Sequence, residues 1–258
     1  MPTIPLSVVV MTRNEEKNIA ECLESVKGWV DDIVVVDDFS TDKTLDIVKN
    51  YTDRILQKKW ELEGASRNFA YAQARCEYVL SLDADERITP ELRDELIALF
   101  QTPLKYNGYN ISHRNYLGTY WIRHGGWYPN SKLKMFRKEK FRYEDAEYHP
   151  RAFMEGQTHT LQQDIIHYNY PDFHSLFAKI NHQTDYEAKK WIRDGRRMNL
   201  LICFRKMWVR FFKFYFIKYG FRDGFVGFFL AIYSALYQFY SYCKYWELKR
   251  AISLKTKS

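Results

Sequence analysis

The chain has 258 residues, of which 46% are hydrophobic, enough to bury one core with a small appendage. Its 39 basic and 32 acidic residues leave a net charge of +7, and the signs segregate only in the C-terminal region, which argues against nucleic acid as a partner. The four cysteines form no C-x-x-C pair and have no histidine at zinc-site spacing, so a reducing cytosol fits them best.

The first hundred residues alternate β-branched runs with amphipathic stretches, the pattern of a parallel sheet covered by helices. The first strand is predicted over residues 6–11, a run too short for a signal peptide. The next helix is expected to have Asn14 as its N-cap and to stop at Gly28. The second strand, residues 33–36, ends at Asp37-Asp38, after which a hydroxyl or Asp42 can cap the following helix.

Two more units follow in the same order. Residues 54–57 predict a short strand, and residues 64–70 open a helix whose start offers backbone N–H groups to an anion. A buried strand over 78–82 then runs into the acidic sequence Asp83-Ala84-Asp85-Glu86. The next helix is expected to begin with Thr89 as the cap and Pro90 as its first residue. The predicted class is therefore α/β.

The acidic triplet Asp83-Ala84-Asp85 predicts a divalent metal ion. Two carboxylates at the mouth of a buried strand repel each other and are costly to desolvate unless a cation neutralises both. Oxygen ligands of this kind suit Mg²⁺ or Mn²⁺, which also bind phosphate oxygens. A D-x-D sequence is also common in surface turns, so its neighbours decide between the two interpretations.

Polar clusters follow the first two strands as well. The carboxyl ends of strands in an open α/β sheet point toward one crevice, where nucleotides bind. One ligand could therefore touch the triplet together with Asp37-Asp38 and with Thr12-Arg13-Asn14-Glu15. Because the sequence contains no G-x-G-x-x-G or Walker pattern, a nucleotide-sugar held by a metal is the ligand that these clusters favour.

The regular alternation stops after residue 103. Aromatic, glycine-containing and basic stretches between 106 and 140 predict strands and loops that form an acceptor site. From about residue 174 the chain reads as helical, with Lys206, Arg210 and Lys213 forming the polar side of a basic amphipathic helix. Residues 224–243 carry no charge and reach the roughly 20 residues that span a bilayer, but their polar content favours an interfacial or packed helix.

The order of four motifs resembles the inverting GT-A glycosyltransferases of family 2. The motifs are V-V-V-M-T-R-N-E-E, V-V-D-D-F-S-T-D-K-T, G-A-S-R-N and L-D-A-D-E, and the match covers residues 6 to about 100. Segments 125–129, 132–137 and 166–168 are similar to the branch that adds β-linked glucose to the lipopolysaccharide inner core.

The resemblance implies a GT-A, Rossmann-like fold with a mostly parallel sheet. Residues 1–173 would form the transferase domain, with a nucleotide-sugar half over 6–103 and an acceptor half over 104–173, and residues 174–258 a helical, membrane-associating region. It also implies a UDP-sugar donor, a lipid-linked saccharide acceptor, and work at the anionic cytoplasmic face of the inner membrane of a Gram-negative cell.

The resemblance also implies roles for individual residues. Asp38 would contact the uracil, Arg67 the diphosphate, Asp83 the ribose or the metal, and Asp85 would be the main metal ligand. His167 is a candidate for an additional metal ligand. The remaining donor-binding candidates are Thr12, Arg13, Asn14 and Glu15.

Structural roles compete with several of these assignments. Asp38 could cap the next helix, and Asn14 could be a cap and nothing more. Arg67 could pair with Glu63 on a solvated face, and His167 could be a packed core histidine.

Inverting transfer also needs a carboxylate that accepts the proton of the acceptor hydroxyl. Asp145 is the first candidate, because a Glu-Asp pair at this place resembles an acidic motif of the wider family, and Glu147 is the second. The related branch usually has a His-Glu-Arg triplet, where this chain has His149-Pro150-Arg151. That difference leaves the base open, and the acids could instead pair with Arg142 and Arg151 in a charged loop.

Two other functions fit parts of the same pattern. A transferase of this fold could use polyprenyl phosphate as its acceptor, and the basic aromatic tail suits either acceptor because both lie at an anionic interface. The chain could also be a catalytically inactive nucleotide-binding or membrane scaffold protein.

Overall fold

The computed structural model describes residues 3–145 and 150–255, which form two compact units. The first unit comprises the described residues of Met1–Arg114 and Asn130–Tyr168, and the second those of Asn115–Pro129 and Asn169–Ser258. The domain limits expected at residues 103 and 173 remain predictions.

The N-terminal part alternates strands and helices as predicted. Its elements are β1 (Ile4–Thr12), α1 (Ile19–Glu24), β2 (Val30–Asp37), α2 (Thr44–Val48), β3 (Ile55–Gln57), α3 (Glu63–Ala72), β4 (Tyr78–Asp83), β5 (Glu86–Ile88) and α4 (Pro90–Leu99). The later elements are β6 (Gly108–Leu117), β7 (Tyr120–Trp121), β8 (Ser131–Arg137), β9 (Phe141–Tyr143), β10 (Ala152–Met154), β11 (Thr158–Tyr170), α5 (Phe173–Arg193), α6 (Leu200–Phe212) and α7 (Gly224–Lys255). A π-helical turn over Lys213–Ile217 and a 3-10 turn over Gly220–Asp223 lie between α6 and α7.

Among the described residues, the main sheet has nine strands in the order β3-β2-β1-β4-β8-β6-β11-β5, with β7 paired to β6. Strands β3, β2, β1 and β4 are parallel, and β8 joins β4 and β6 in antiparallel fashion. Val8, Val9 and Val10 of β1 are all 0% exposed, because apolar clusters cover both sheet faces. The predicted α/β fold with flanking helices is confirmed.

The predicted start of α4 is confirmed, and the predicted start of α1 is wrong. Thr89 caps α4, since its Oγ1 accepts the Leu92 N–H at 3.1 Å, and Pro90 is the first helical residue. The prediction that Asn14 caps the first helix is wrong, because α1 begins only at Ile19. Asn14 has a left-handed backbone with φ of 53°, which asparagine tolerates, and it serves a loop instead.

The second unit is mainly helical. Leu176 and Ile180 of α5 pack with Leu230 and Tyr233 of α7 in one apolar cluster. In the described part of the chain, every helix falls short of the length or apolar character needed to cross a bilayer.

The predicted polar side of the basic helix differs from the observed one. Lys206 is half-buried, with Nζ 5.1 Å from the centre of the Trp191 ring, and the Arg210 guanidinium lies 5.1 Å from the Tyr237 ring. Burial lowers the pKa of Arg210. Of these three basic residues only Lys213 is exposed, so the prediction that the three together form the polar side of the helix is wrong.

Candidate functional site

The predicted polar clusters meet at one edge of the parallel strands. In the strand register Thr12 is opposite Asp37, and Met11 is opposite Asp83. Parallel strands end at the same sheet edge, so the loops after β1, β2 and β4 start side by side. Thr12 itself is buried at this edge, with 1% of its surface exposed.

Hydrogen bonds tie the loop after β1 to the loop after β2. The Asn14 N–H donates to Ser40 Oγ at 2.8 Å, and Asn14 Oδ1 accepts the Thr41 N–H at 2.8 Å. The Glu15 N–H donates to Thr44 Oγ1 at 2.8 Å, and burial raises the pKa of the Glu15 carboxyl. These bonds fix the positions of both loops before any ligand arrives.

Asp38 is a fixed carboxylate at this edge. Its side chain is 5% exposed and accepts hydrogen bonds from Arg13 at 2.9 Å and from the Trp60 N–H at 3.2 Å. Asp42 Oδ1 accepts the N–H of Thr44 at the start of α2, at 3.0 Å. The interpretation of Asp38 as the cap of that helix is therefore wrong.

Asp83 lies between two cations. Arg67 Nη2 is 3.3 Å from Asp83 Oδ1, and Lys134 Nζ is 3.4 Å from Asp83 Oδ2. Arg67 also contacts Glu63 at 3.2 Å, so the pair expected on structural grounds coexists with the contact to Asp83. Burial acts to raise the pKa of Asp83, but the charges of Lys134 and Arg67 outweigh it and hold the pKa well below its usual range.

Glu86 is the buried centre of the cluster, and the sequence reasoning missed its role. Its side chain is 0% exposed, accepts from Lys134 Nζ at 2.6 Å, and lies 2.9 Å from His113 Nε2. Glu86 also accepts the Asp83 backbone N–H at 2.9 Å. Although burial acts to raise the pKa of Glu86, the Lys134 charge lowers it to about 2. The only sequence signal was a third acid directly after the triplet.

Asp85 and His167, both predicted as metal ligands, lie side by side. Asp85 Oδ2 is 3.4 Å from His167 Nε2, and the two side chains are 24% and 10% exposed. The backbone supports this contact, since β5 pairs with β11 and the Tyr168 N–H donates to the Asp85 carbonyl at 2.9 Å. Across the described ranges, no group of three or more His, Cys, Asp or Glu side chains is arranged to hold a metal ion.

The segment that carries the predicted base is held against α3. Tyr143 exchanges two hydrogen bonds with Asn68, at 2.8 and 2.9 Å. A Cβ atom on Gly64 would come within 1.8 Å of the Glu144 carbonyl oxygen, so only glycine permits this approach. Asp145 follows directly and is exposed.

The second candidate base, Glu147, lies outside the described residues. Of the arginines that could pair with the acidic segment, Arg142 stacks over the Phe153 ring at 4.5 Å. The Arg151 backbone N–H lies 3.4 Å from the Glu144 carboxylate. Asp145 and Glu147 both remain predictions.

The chain is similar in sequence to known glycosyltransferases. A sequence model described as glycosyl transferase family 2 matches residues 7–173. An uncharacterized glycosyltransferase of Rickettsia bellii is 28% identical over 99% of this chain and 91% of its own length. The lipopolysaccharide core biosynthesis glycosyltransferase LpsC of Rhizobium meliloti is 26% identical over 96% of this chain and 94% of its own.

The fold is also found in solved structures. One of these is glucosyl-3-phosphoglycerate synthase from Mycobacterium tuberculosis, in complex with Mn²⁺, UDP and glucosyl-3-phosphoglycerate. The TM-score is 0.50 and the identity 16%, over 76% of this chain and 82% of that one. At this identity the similarity concerns the fold alone.

Proposed function

Because this chain belongs to glycosyl transferase family 2, we propose that it is a metal-dependent inverting transferase that moves a sugar from a UDP-sugar to a lipid-linked saccharide. The first candidates are glucose as the sugar and the lipopolysaccharide inner core as the acceptor, at the anionic inner face of the inner membrane. The similarity to LpsC supports this class of acceptor. The observation that carries the proposal is the Asp85–His167 pair at the strand edge that also holds Asp38 and Asp83.

The Asp85–His167 pair fits a divalent cation. Adjacent ligands of an octahedral Mg²⁺, each about 2.1 Å from the ion, lie about 3 Å apart. Asp85 Oδ2 and His167 Nε2 are 3.4 Å apart, close to that spacing. Mg²⁺ usually takes one or two protein carboxylates and completes its shell with waters and substrate phosphates, so a larger protein cluster is not needed. A bound cation would stabilise the charge on the leaving diphosphate.

The residues around this pair supply the rest of a donor site. Asp38, held by Arg13, would accept a hydrogen bond from the uracil ring. Arg67 and Lys134 place two positive charges at Asp83. Arg67, which is 20% exposed, would contact the diphosphate, whereas Lys134 is 7% exposed and is held by Glu86 at 2.6 Å. In this proposal Asp83 contacts the ribose and orients the side chains of Arg67 and Lys134. Its predicted role as a metal ligand is kept as well.

The acceptor hydroxyl must lose a proton as its oxygen attacks the sugar C1 from the side opposite UDP. Asp145 is the proposed base, with Glu147 as the second candidate. Asp145 is exposed and follows a segment packed on α3, the helix that carries Arg67. An exposed carboxylate in this place is reachable by an acceptor from outside.

Titration calorimetry with UDP tests the donor and metal assignments. UDP should bind in the presence of Mn²⁺, and Asp85→Ala or His167→Ala should weaken that binding roughly tenfold or more, since even the outer-shell partners of metal ligands typically contribute that much. Asp46→Ala is the matched control, because Asp46 is a 78% exposed carboxylate in a surface pair. Equal, Mn²⁺-independent affinity in all four proteins would refute the metal assignment.

A further inference from the structure

Helix α6 and the turn after it expose an apolar face. The apolar face consists of six side chains that are 47–80% exposed: Leu201, Phe204, Trp208, Val209, Phe212 and Ile217. The first five recur at intervals of three, four and one residues, which places them on one side of a helix. A surface helix normally buries its apolar side and exposes its polar side. In α6 the large apolar side chains point outward, while Cys203 is 0% exposed.

The surroundings of the apolar face are positively charged. Between residues 195 and 222 the chain has eight basic and no acidic residues. Lys213 and Lys218 are exposed beside the apolar face. Arg205 is exposed within it, four residues after Leu201 and four before Val209, and its long apolar stem lets the guanidinium reach a polar layer. Lys206 and Arg210 stack on rings within the helical unit. The face therefore combines apolar area with exposed positive charges.

We propose that the apolar face inserts into the interfacial layer of an anionic lipid bilayer, with Arg205, Lys213 and Lys218 at the head groups. Interfacial helices bury large apolar and aromatic side chains among the lipid chains while basic residues remain at the anionic surface. A tryptophan such as Trp208 is favoured at that depth. This inference deepens the membrane partner named in the proposed function and rests on it.

Charge complementarity selects lipid over a second copy of this chain. Two copies that met through the apolar face would bring two basic surfaces together, which like-charge repulsion opposes. An anionic membrane offers both an apolar layer and the opposite charge.

The proposal predicts a different salt dependence from docking by charge alone. Contacts between exposed charges and head groups are screened at high salt, whereas apolar insertion is not. The protein should therefore keep part of its vesicle binding at high salt.

Co-sedimentation with vesicles tests the proposal. One vesicle preparation contains equal parts phosphatidylglycerol and phosphatidylcholine, and the other phosphatidylcholine alone. The double variant Trp208→Ser/Phe212→Ser should lose about 10²-fold in partitioning at low and high salt, since each lost apolar side chain accounts for roughly a tenfold change. Phe153→Ser is the matched control, because Phe153 is 43% exposed in the other compact unit and Phe212 is 48% exposed.

Fluorescence quenching is a second measurement, and it detects insertion in the unmodified protein. Brominated lipid should quench the fluorescence of Trp208, and Trp208→Phe should bind vesicles equally well while losing that quenched signal. Changing Arg205, Lys213 and Lys218 to Glu should weaken binding at low salt and abolish the preference for phosphatidylglycerol.

Three results would overturn the proposal. They are no vesicle binding by the unmodified protein, equal binding by the double variant, and a dimer in light scattering that the double variant turns into a monomer. Because UDP binding does not involve the apolar face, calorimetry on the same preparations separates the two proposals. Vesicle binding without UDP binding would refute the donor assignment and leave the inserted face in place.

Discussion

Glu86→Gln removes one charge from the buried cluster while preserving the shape of the side chain. The variant leaves Lys134, which is 7% exposed, without its partner at 2.6 Å. Among the residues that the structure describes, Asp83 at 3.4 Å is then the remaining carboxylate neighbour of Lys134. Removing one partner from a buried ion pair costs about 3–5 kcal/mol. The remaining contact with Asp83 places the expected loss at the lower end of that range.

The pKa of Glu86 gives a second value for the free energy of unfolding that Glu86→Gln should lose. Lowering the pKa from 4.5 to about 2 corresponds to about 3 kcal/mol in favour of the ionised carboxylate in the folded protein. Because the folded pKa is depressed, this stabilisation is fully present above the unfolded pKa of 4.5 and is lost as the pH falls toward about 2. Near pH 3 about 40% of it should remain.

Urea unfolding of both proteins across this pH range is the assay. The free energy of unfolding of Glu86→Gln should be about 3 kcal/mol below that of the unmodified protein at neutral pH, and the difference should shrink as the pH falls. Glu77→Gln is the control, since Glu77 is 60% exposed in its pair with Arg137 and should cost less than about 1 kcal/mol. A difference that is equally small for both variants, or that does not change with pH, would refute the electrostatic account of the cluster.

Three further predictions concern catalysis, donor binding and thiol reactivity. Asp145→Asn or Glu147→Gln should lower kcat by about 10²-fold with UDP affinity retained, as transfer kinetics and calorimetry measure, and full activity in both would place the base elsewhere. Arg67→Met keeps the bulk of the side chain and should weaken UDP binding by roughly tenfold or more, so unchanged affinity would remove Arg67 from the diphosphate site. Cys22 is 0% exposed, and its burial raises the pKa of the thiol, so a thiol reagent should label the exposed Cys243 first. Peptide mass spectrometry would detect the labelled sites, and prompt labelling of Cys22 in the folded protein would contradict its burial.

The parallel half of the sheet could be predicted because its signals are local. Each β-branched run ends at a polar cluster, and parallel strands bring those ends to one edge. Asp38, Asp83 and Asp85 were placed at that edge from this pattern alone. Asn14 shows the limit of such signals, because the same side chain can cap a helix or, as here, accept an N–H from another loop.

The buried cluster could not be predicted because its contacts are not local. Lys134 and Glu86 are 48 residues apart in the chain and His113 and Glu86 are 27 apart, so the contacts depend on the antiparallel register of strands β6 and β8. Nothing in the sequence of those strands fixes that register.

The orientation of α6 also could not be predicted from the sequence. An amphipathic pattern defines two sides of a helix but does not say which side the rest of the protein covers. The packing of Lys206 on Trp191 and of Arg210 on Tyr237 decides it, and both contacts depend on neighbouring helices.

The most direct test of the proposed function is transfer itself. The protein would be incubated with UDP-glucose, Mn²⁺ and a lipopolysaccharide truncated in its inner core, and the product analysed by mass spectrometry and by nuclear magnetic resonance of the anomeric proton. The account predicts the gain of one hexose in β linkage, which disappears with a chelator and in Asp85→Ala. An α-linked product, transfer that persists with the chelator, or a hexose found only on polyprenyl phosphate would contradict it.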